Sequence, residues 1–155
     1  EVLFEPASLL ETHGWRVTRV SFGTHTGTHV DAPSHLLPDG ESLDGLALEG
    51  FVGMGTVVND PNGLWPEREV LLFDKLPLEG GLLRRVLDTK PKLVGFTKAN
   101  DPSVETLKAL LQEGIIPVGP LVGLDRLPES FLFCAFPLKL PYIDGSPVRA
   151  IALLR

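Results

Sequence analysis

The chain carries 155 residues, with 14 Lys and Arg against 20 Asp and Glu and a formal net charge of −6. That length predicts one domain spanning residues 1–155 with a core of its own, and the acidic balance argues against nucleic acid or an anionic membrane surface as a partner. A single cysteine, Cys134, excludes an internal disulfide framework, and the chain shows neither a membrane-length apolar run nor a basic-then-apolar leader, so a cytoplasmic location is expected.

Taken in chain order, Arg16–Phe22 reads as the first strand, and the histidine-rich run 21–35 follows it. The stretch Leu37–Gly50 holds Pro38, Asp39-Gly40 and Asp44-Gly45, so it reads as turns that could form a lid. Short apolar, β-branched or aromatic runs predict strands at Val52–Val58, Glu69–Phe73 and Lys92–Thr97, and again at Ile115–Val118, Phe131–Lys139 and Val148–Leu154. Between them, Leu82, Leu83, Val86 and Leu87 share one face of a helix over Glu79–Asp88. A second helix is expected from an Asp101 cap and Pro102 to Gln112, closed by Gly114. Cys134 sits in the apolar run Phe131–Phe136 and reads as a buried strand residue. The pattern gives α/β or α+β.

Three of the chain's four histidines and Asp31 fall between positions 25 and 35, around Gly27 and Pro33. Imidazole and carboxylate are the donors that a zinc-like divalent ion takes. A helix is a poor host here, because Thr24, Thr26, Thr28 and Val30 are β-branched and Gly27 and Pro33 oppose it. On a strand, His29 and Asp31 share a face about 6.6 Å apart, but His25 and His29 would be about 13 Å apart. The chain must therefore bend between them, and Gly27 is the residue that permits it. His25, His29 and Asp31 then supply three metal ligands and leave a fourth position open, as in a catalytic centre. His35 lies past Pro33, placed to act on a substrate as a proton-transferring group without being needed as a ligand. His13 lies close upstream and could reach the same place, and Trp15 or Trp65 could line an aromatic pocket.

The pattern His25-x-Gly27-Thr28-His29-x-Asp31-x-Pro33-x-His35 resembles the signature of the metal-dependent "Putative cyclase" superfamily, which includes the bacterial kynurenine formamidases and isatin hydrolases. Val17–Val20, Leu111-x-x-Gly114-Ile115, Leu124–Pro128, Pro137–Leu140 and Asp144–Ala150 fall in that family's order, so the resemblance covers most of the chain. It implies an α/β fold with a β-barrel-like mixed sheet flanked by helices, assembled as a homodimer or homotetramer. It also implies hydrolysis of a small amide or cyclic amide, within tryptophan catabolism for the formamidases, by water on a zinc or manganese ion. His25, His29 and Asp31 would be the metal ligands, and His35 the general acid/base. The family's usual N-terminal region begins earlier, so an opening strand would be missing. Its further histidine, ahead of a Leu-Leu pair, falls on Leu107 or Lys108 here, and its strand glutamate falls on Gly119. The stretch Gly95–Asp101 also departs from the family. About one ion per chain is the resulting expectation.

Three function classes follow from the residues. A metal-dependent amidohydrolase would use the ion to lower the pKa of water toward about 7 and His35 to carry the proton. A non-catalytic relative would keep the fold as a binding or assembly module, consistent with Leu107 and Gly119. Two histidines and a carboxylate could also form the facial triad of an iron oxygenase, although nothing else in the chain suggests it.

Overall fold

Strands form where apolar and β-branched residues run together. Among the described residues (1–63, 65 and 69–154 of the computed structural model) there are ten strands and three α-helices. β1 (Leu3–Ser8) and β2 (Val17–Ser21) pair antiparallel as a separate two-stranded ribbon, joined through the short α1 (Leu10–His13). Then come β3 (His29–Asp31), β4 (Val52–Val57), β5 (Val70–Phe73), α2 (Gly80–Thr89), β6 (Leu93–Thr97) and α3 (Val104–Gln112). The chain closes with β7 (Ile116–Leu121), β8 (Phe131–Cys134), β9 (Gly145–Pro147) and β10 (Ile151–Leu153).

Eight of these strands make one mixed sheet in the order β10-β8-β4-β5-β6-β7-β3-β9. Its centre, β4 to β7, is parallel, and antiparallel strands extend it on both sides. The sheet curls into a half-barrel with few helices, the α/β arrangement expected. Parallel strands need apolar cover on both faces, and β5 supplies it, with all four residues buried. Val70 and Leu72 enter one cluster with Val30, Val118 and Phe131. Leu71 and Phe73 alternate to the other, where α2 and α3 bring Val86 and Leu110. At about 1.5–3 kcal/mol for each fully buried Val, Leu or Phe, this double-faced centre outweighs anything the exposed ribbon contributes. Val30 points into the first cluster opposite Val118, so His29 and Asp31 project from the other face of β3.

Several boundaries differ from expectation for local reasons. Only His29–Asp31 of the histidine run is strand, because the preceding residues turn: Thr26 N–H donates to Gly23 O, and Gly27 has φ +65°. β8 stops at Cys134, and beyond it Phe136, Leu138 and Leu140 are exposed rather than paired. β7 runs on through Gly119-Pro120 to Leu121. Of the expected Val148–Leu154 strand only Ile151–Leu153 (β10) forms, and β9, at Gly145–Pro147, lies wholly before it. α3 is capped by Ser103, whose Oγ accepts the Thr106 N–H at 3.2 Å, and not by Asp101. β1 forms outside the expected strands: Pro6 interrupts its strand pattern and lies at the bulge in the ribbon.

Candidate metal centre

β3 lies between β7 and β9, with His29 opposite Gly119 and Pro147 and with Asp31 opposite Gly145. This pairing fixes the two side chains on one face, and the turn at Gly27 folds His25 back onto them. The His25 and His29 rings meet edge to face with centroids 5.0 Å apart. Asp31 Oδ1 lies 2.9 Å from His25 Nδ1 and 3.4 Å from His29 Nε2. The short 3-10 turn Pro33–His35 carries His35 back over His25, with ring centroids 4.0 Å apart. His25, His29, Asp31 and His35 are thus brought together.

Room for this packing comes from a missing side chain. A Cβ at Gly145 would fall 2.6 Å from His25 Cε1 and 2.9 Å from the Val30 carbonyl.

The hydrogen-bond partners assign the nitrogens. His29 Nδ1 lies 2.8 Å from the Gly27 carbonyl, which can only accept, so Nδ1 carries the proton and Nε2 keeps a lone pair toward Asp31. Asp31 is only 3% exposed, and a carboxylate so buried requires a proton, a donor or a cation beside it. His25 faces carboxylates on both sides, Asp31 through Nδ1 and Asp144 through Nε2 at 3.0 Å. A neutral imidazole donates to only one of them, which leaves two acceptors facing each other on the other side. The atoms His25, His29 and Asp31 offer all lie within 4.8 Å of one another. Two imidazole nitrogens and a buried carboxylate oxygen are a donor set that fits a divalent ion.

Asp144 joins the cluster without having been singled out, since Asp144-Gly145 reads as a turn in the sequence. Burial raises its pKa. Hydrogen bonds from His25, Thr24 and His35, with one from its own backbone, outweigh that and hold the carboxyl well below the usual carboxylate range. The available signal was its place in the Asp144–Ala150 segment, already part of the family resemblance.

Other candidates lie elsewhere. His13 ends the exposed α1, bonded to the Thr12 hydroxyl, with its ring tilted 52° to that of Trp15 at a centroid distance of 6.3 Å, and it belongs to neither metal-competent group among the described residues. Trp15 is 60% exposed, while Trp65 lies under the Arg85 guanidinium. On α3, Leu107 is half-buried and carries no ligand atom, and Lys108 is exposed. Gly119 sits beside His29, but the direction its side chain would take is filled by the Phe96 ring. The 37–50 segment is pinned to the cluster's rim: Ser34 N–H donates to Glu41 O at 3.1 Å and Leu43 N–H to Ile143 O at 2.9 Å.

The chain is similar to known proteins in sequence and in fold. Residues 3–71 match the family described as "Putative cyclase". Over 168 residues the chain is 30% identical to the kynurenine formamidase of Salinibacter ruber, covering 83% of this chain and 75% of that one. Isatin hydrolase A from Labrenzia aggregata, bound to benzyl benzoate, shares the fold with a TM-score of 0.77 at 23% identity, covering 97% of this chain and 82% of its own. A predicted metal-dependent hydrolase from Bacillus stearothermophilus shares it with a TM-score of 0.72 at 23% identity, covering 98% and 86%.

Proposed function

The chain belongs to the cyclase family of metal-dependent amidohydrolases, related to the bacterial kynurenine formamidases, and on that premise we propose that it hydrolyses a small formamide, lactam or lactone at His25, His29, Asp31 and His35. The observation that carries this reading is the convergence of His25 Nδ1 and His29 Nε2 on Asp31 Oδ1, at 2.9 and 3.4 Å. A divalent ion held by these atoms, zinc with manganese as the alternative, would act as a Lewis acid and lower the pKa of water toward about 7. Asp31 supplies the negative charge of the donor set. His35 turns Nδ1 toward Asp144, which leaves Nε2 on a half-buried ring to take a proton from water and return it to the leaving nitrogen or oxygen. No described residue at Leu107 or Gly119 adds a donor, which supports one ion per chain rather than two.

The wider reading treats residues 1–155 as one cyclase-like domain acting in the cytoplasm, as tryptophan catabolism would require. Its support is the similarity to the bacterial kynurenine formamidases. Among the described residues no helix is long and apolar enough to cross a membrane. Assembly as a homodimer or homotetramer is supported by the apolar residues exposed on the β1–β2 ribbon.

Elemental analysis after saturation with zinc or manganese is expected to give about one ion per chain, and Asp31→Ala to abolish it. A panel of aryl formamides, lactams and lactones should then show slow, chelator-sensitive turnover that His35→Ala lowers by about 10²–10⁴-fold while the ion stays bound. An ion-loaded protein that turns over none of them would favour a binding module instead.

A further inference from the structure

Asp144 touches two histidines with different duties. Its Oδ2 lies 3.0 Å from His25 Nε2 and 3.3 Å from His35 Nδ1, while its Oδ1 accepts the Thr24 hydroxyl at 2.8 Å. We propose that Asp144 is the positioning residue of this centre: one carboxylate oxygen takes an N–H from each ring and so fixes which nitrogen of each is free to work. The inference rests on the reading of His25 as ligand and His35 as base.

The argument is one of donors and acceptors. An ionised carboxylate only accepts, so the nitrogens that face it carry the protons. A neutral ring has one N–H, and His25 therefore keeps its lone pair on Nδ1, toward Asp31 and His29. By the same rule His35 keeps its lone pair on Nε2, free for proton transfer. A carboxylate behind a ligating imidazole also orients the ring and raises its basicity toward the ion. The backbone holds Asp144 in place independently of the histidines. Its carbonyl accepts the Ala32 N–H at 2.8 Å, the Ile143 carbonyl accepts the Leu43 N–H at 2.9 Å, and Tyr142 N–H donates to Asp44 Oδ1 at 2.9 Å.

The same oxygen, with His25 and His35, could in principle hold an ion of its own. Burial decides between the two sides of His25. The Asp31 side chain is 4% exposed and that of Asp144 43%, so water can satisfy Asp144 but not Asp31. The ion belongs on the Asp31 side and the proton on the Asp144 side.

Two measurements test this. In the metal-free wild type, long-range ¹H–¹⁵N correlations should show His35 with its proton on Nδ1, and in Asp144→Asn, whose amide can donate, this preference should be lost. Competition against a chromophoric chelator should show both proteins binding one zinc, with Asp144→Asn weaker by about 10–100-fold. Equal affinity in the two proteins, or a wild-type His35 protonated on Nε2, overturns the assignment. A wild type binding two ions of which Asp144→Asn loses one overturns it in favour of a ligand role. A wild type that binds no zinc overturns the metal reading itself and is read separately from the tautomer. Should Asp144→Asn not fold, the wild-type tautomer still decides.

Discussion

At the scale of single residues, the centre depends as much on Gly145 as on its histidines. The space a side chain would take at 145 holds the His25 ring on one side and the Val30 carbonyl on the other, and the carbonyl belongs to β3 and cannot swing away. Gly145→Ala should therefore cost about 1–3 kcal/mol in stability, as overpacking does. It should also weaken zinc binding by more than about tenfold, because His25 is the movable neighbour. Thermal melts beside chelator competition check both. A variant with unchanged affinity would show that His25 is not held by this contact. Gly27→Ala makes a useful contrast: nothing lies within 4 Å, so its cost, about 1–2 kcal/mol, is that of φ +65° on an L residue. His25, His29, Asp31 and His35 were legible in the sequence because their donor types crowd one short run. Asp144 was not, since nothing local says that a turn aspartate will meet a histidine 119 positions earlier.

Among the elements, the β1–β2 ribbon stands apart. Leu3, Phe4, Val17 and Val20 are each at least 44% exposed, with Phe4 at 70%. Single exposed apolar residues are ordinary, but a paired ribbon of them is a surface that wants cover. The double change Phe4→Ser and Val20→Ser should shift the protein toward monomer in light scattering, with zinc binding kept, because the metal centre lies on β3 and its neighbours. A wild type that is monomeric at every concentration would remove the ribbon's proposed role. The strands read most cleanly from sequence were β5 and β6, each with four successive buried residues that leave an apolar run little broken by polar side chains. β8 was overextended for the opposite reason. Past Cys134 the sequence stays apolar, yet the chain leaves the sheet, and apolar composition alone carries no record of where pairing ends. The shortness of β3 was hidden too, because β-branched threonines suit an extended turn as well as a strand.

For the whole molecule, three surface carboxylates contribute to the response to acid. A hydrogen bond from the Ser42 hydroxyl lowers the pKa of Asp44, one from Lys92 lowers that of Glu69, and its own backbone N–H lowers that of Glu105. Each is thus depressed in the folded state, so its contribution is present above the ordinary carboxylate range near about 4 and is lost as pH falls through the folded value. The melting temperature of chelated protein should stay level near neutrality and drop as pH falls below about 4; a rise there would contradict the assignment. The order of strands in the sheet has a consequence in time. A ribosome releases His25, His29 and His35 early, but β7 comes far later and Asp144 follows His25 by 119 positions. At about 5–20 residues per second, the histidines wait on the order of ten seconds without the strands that aim them. Any ion they meet in that interval is held by a loose, exchanging loop, so lasting capture belongs to the finished chain, with β9 as the strand that closes the trap.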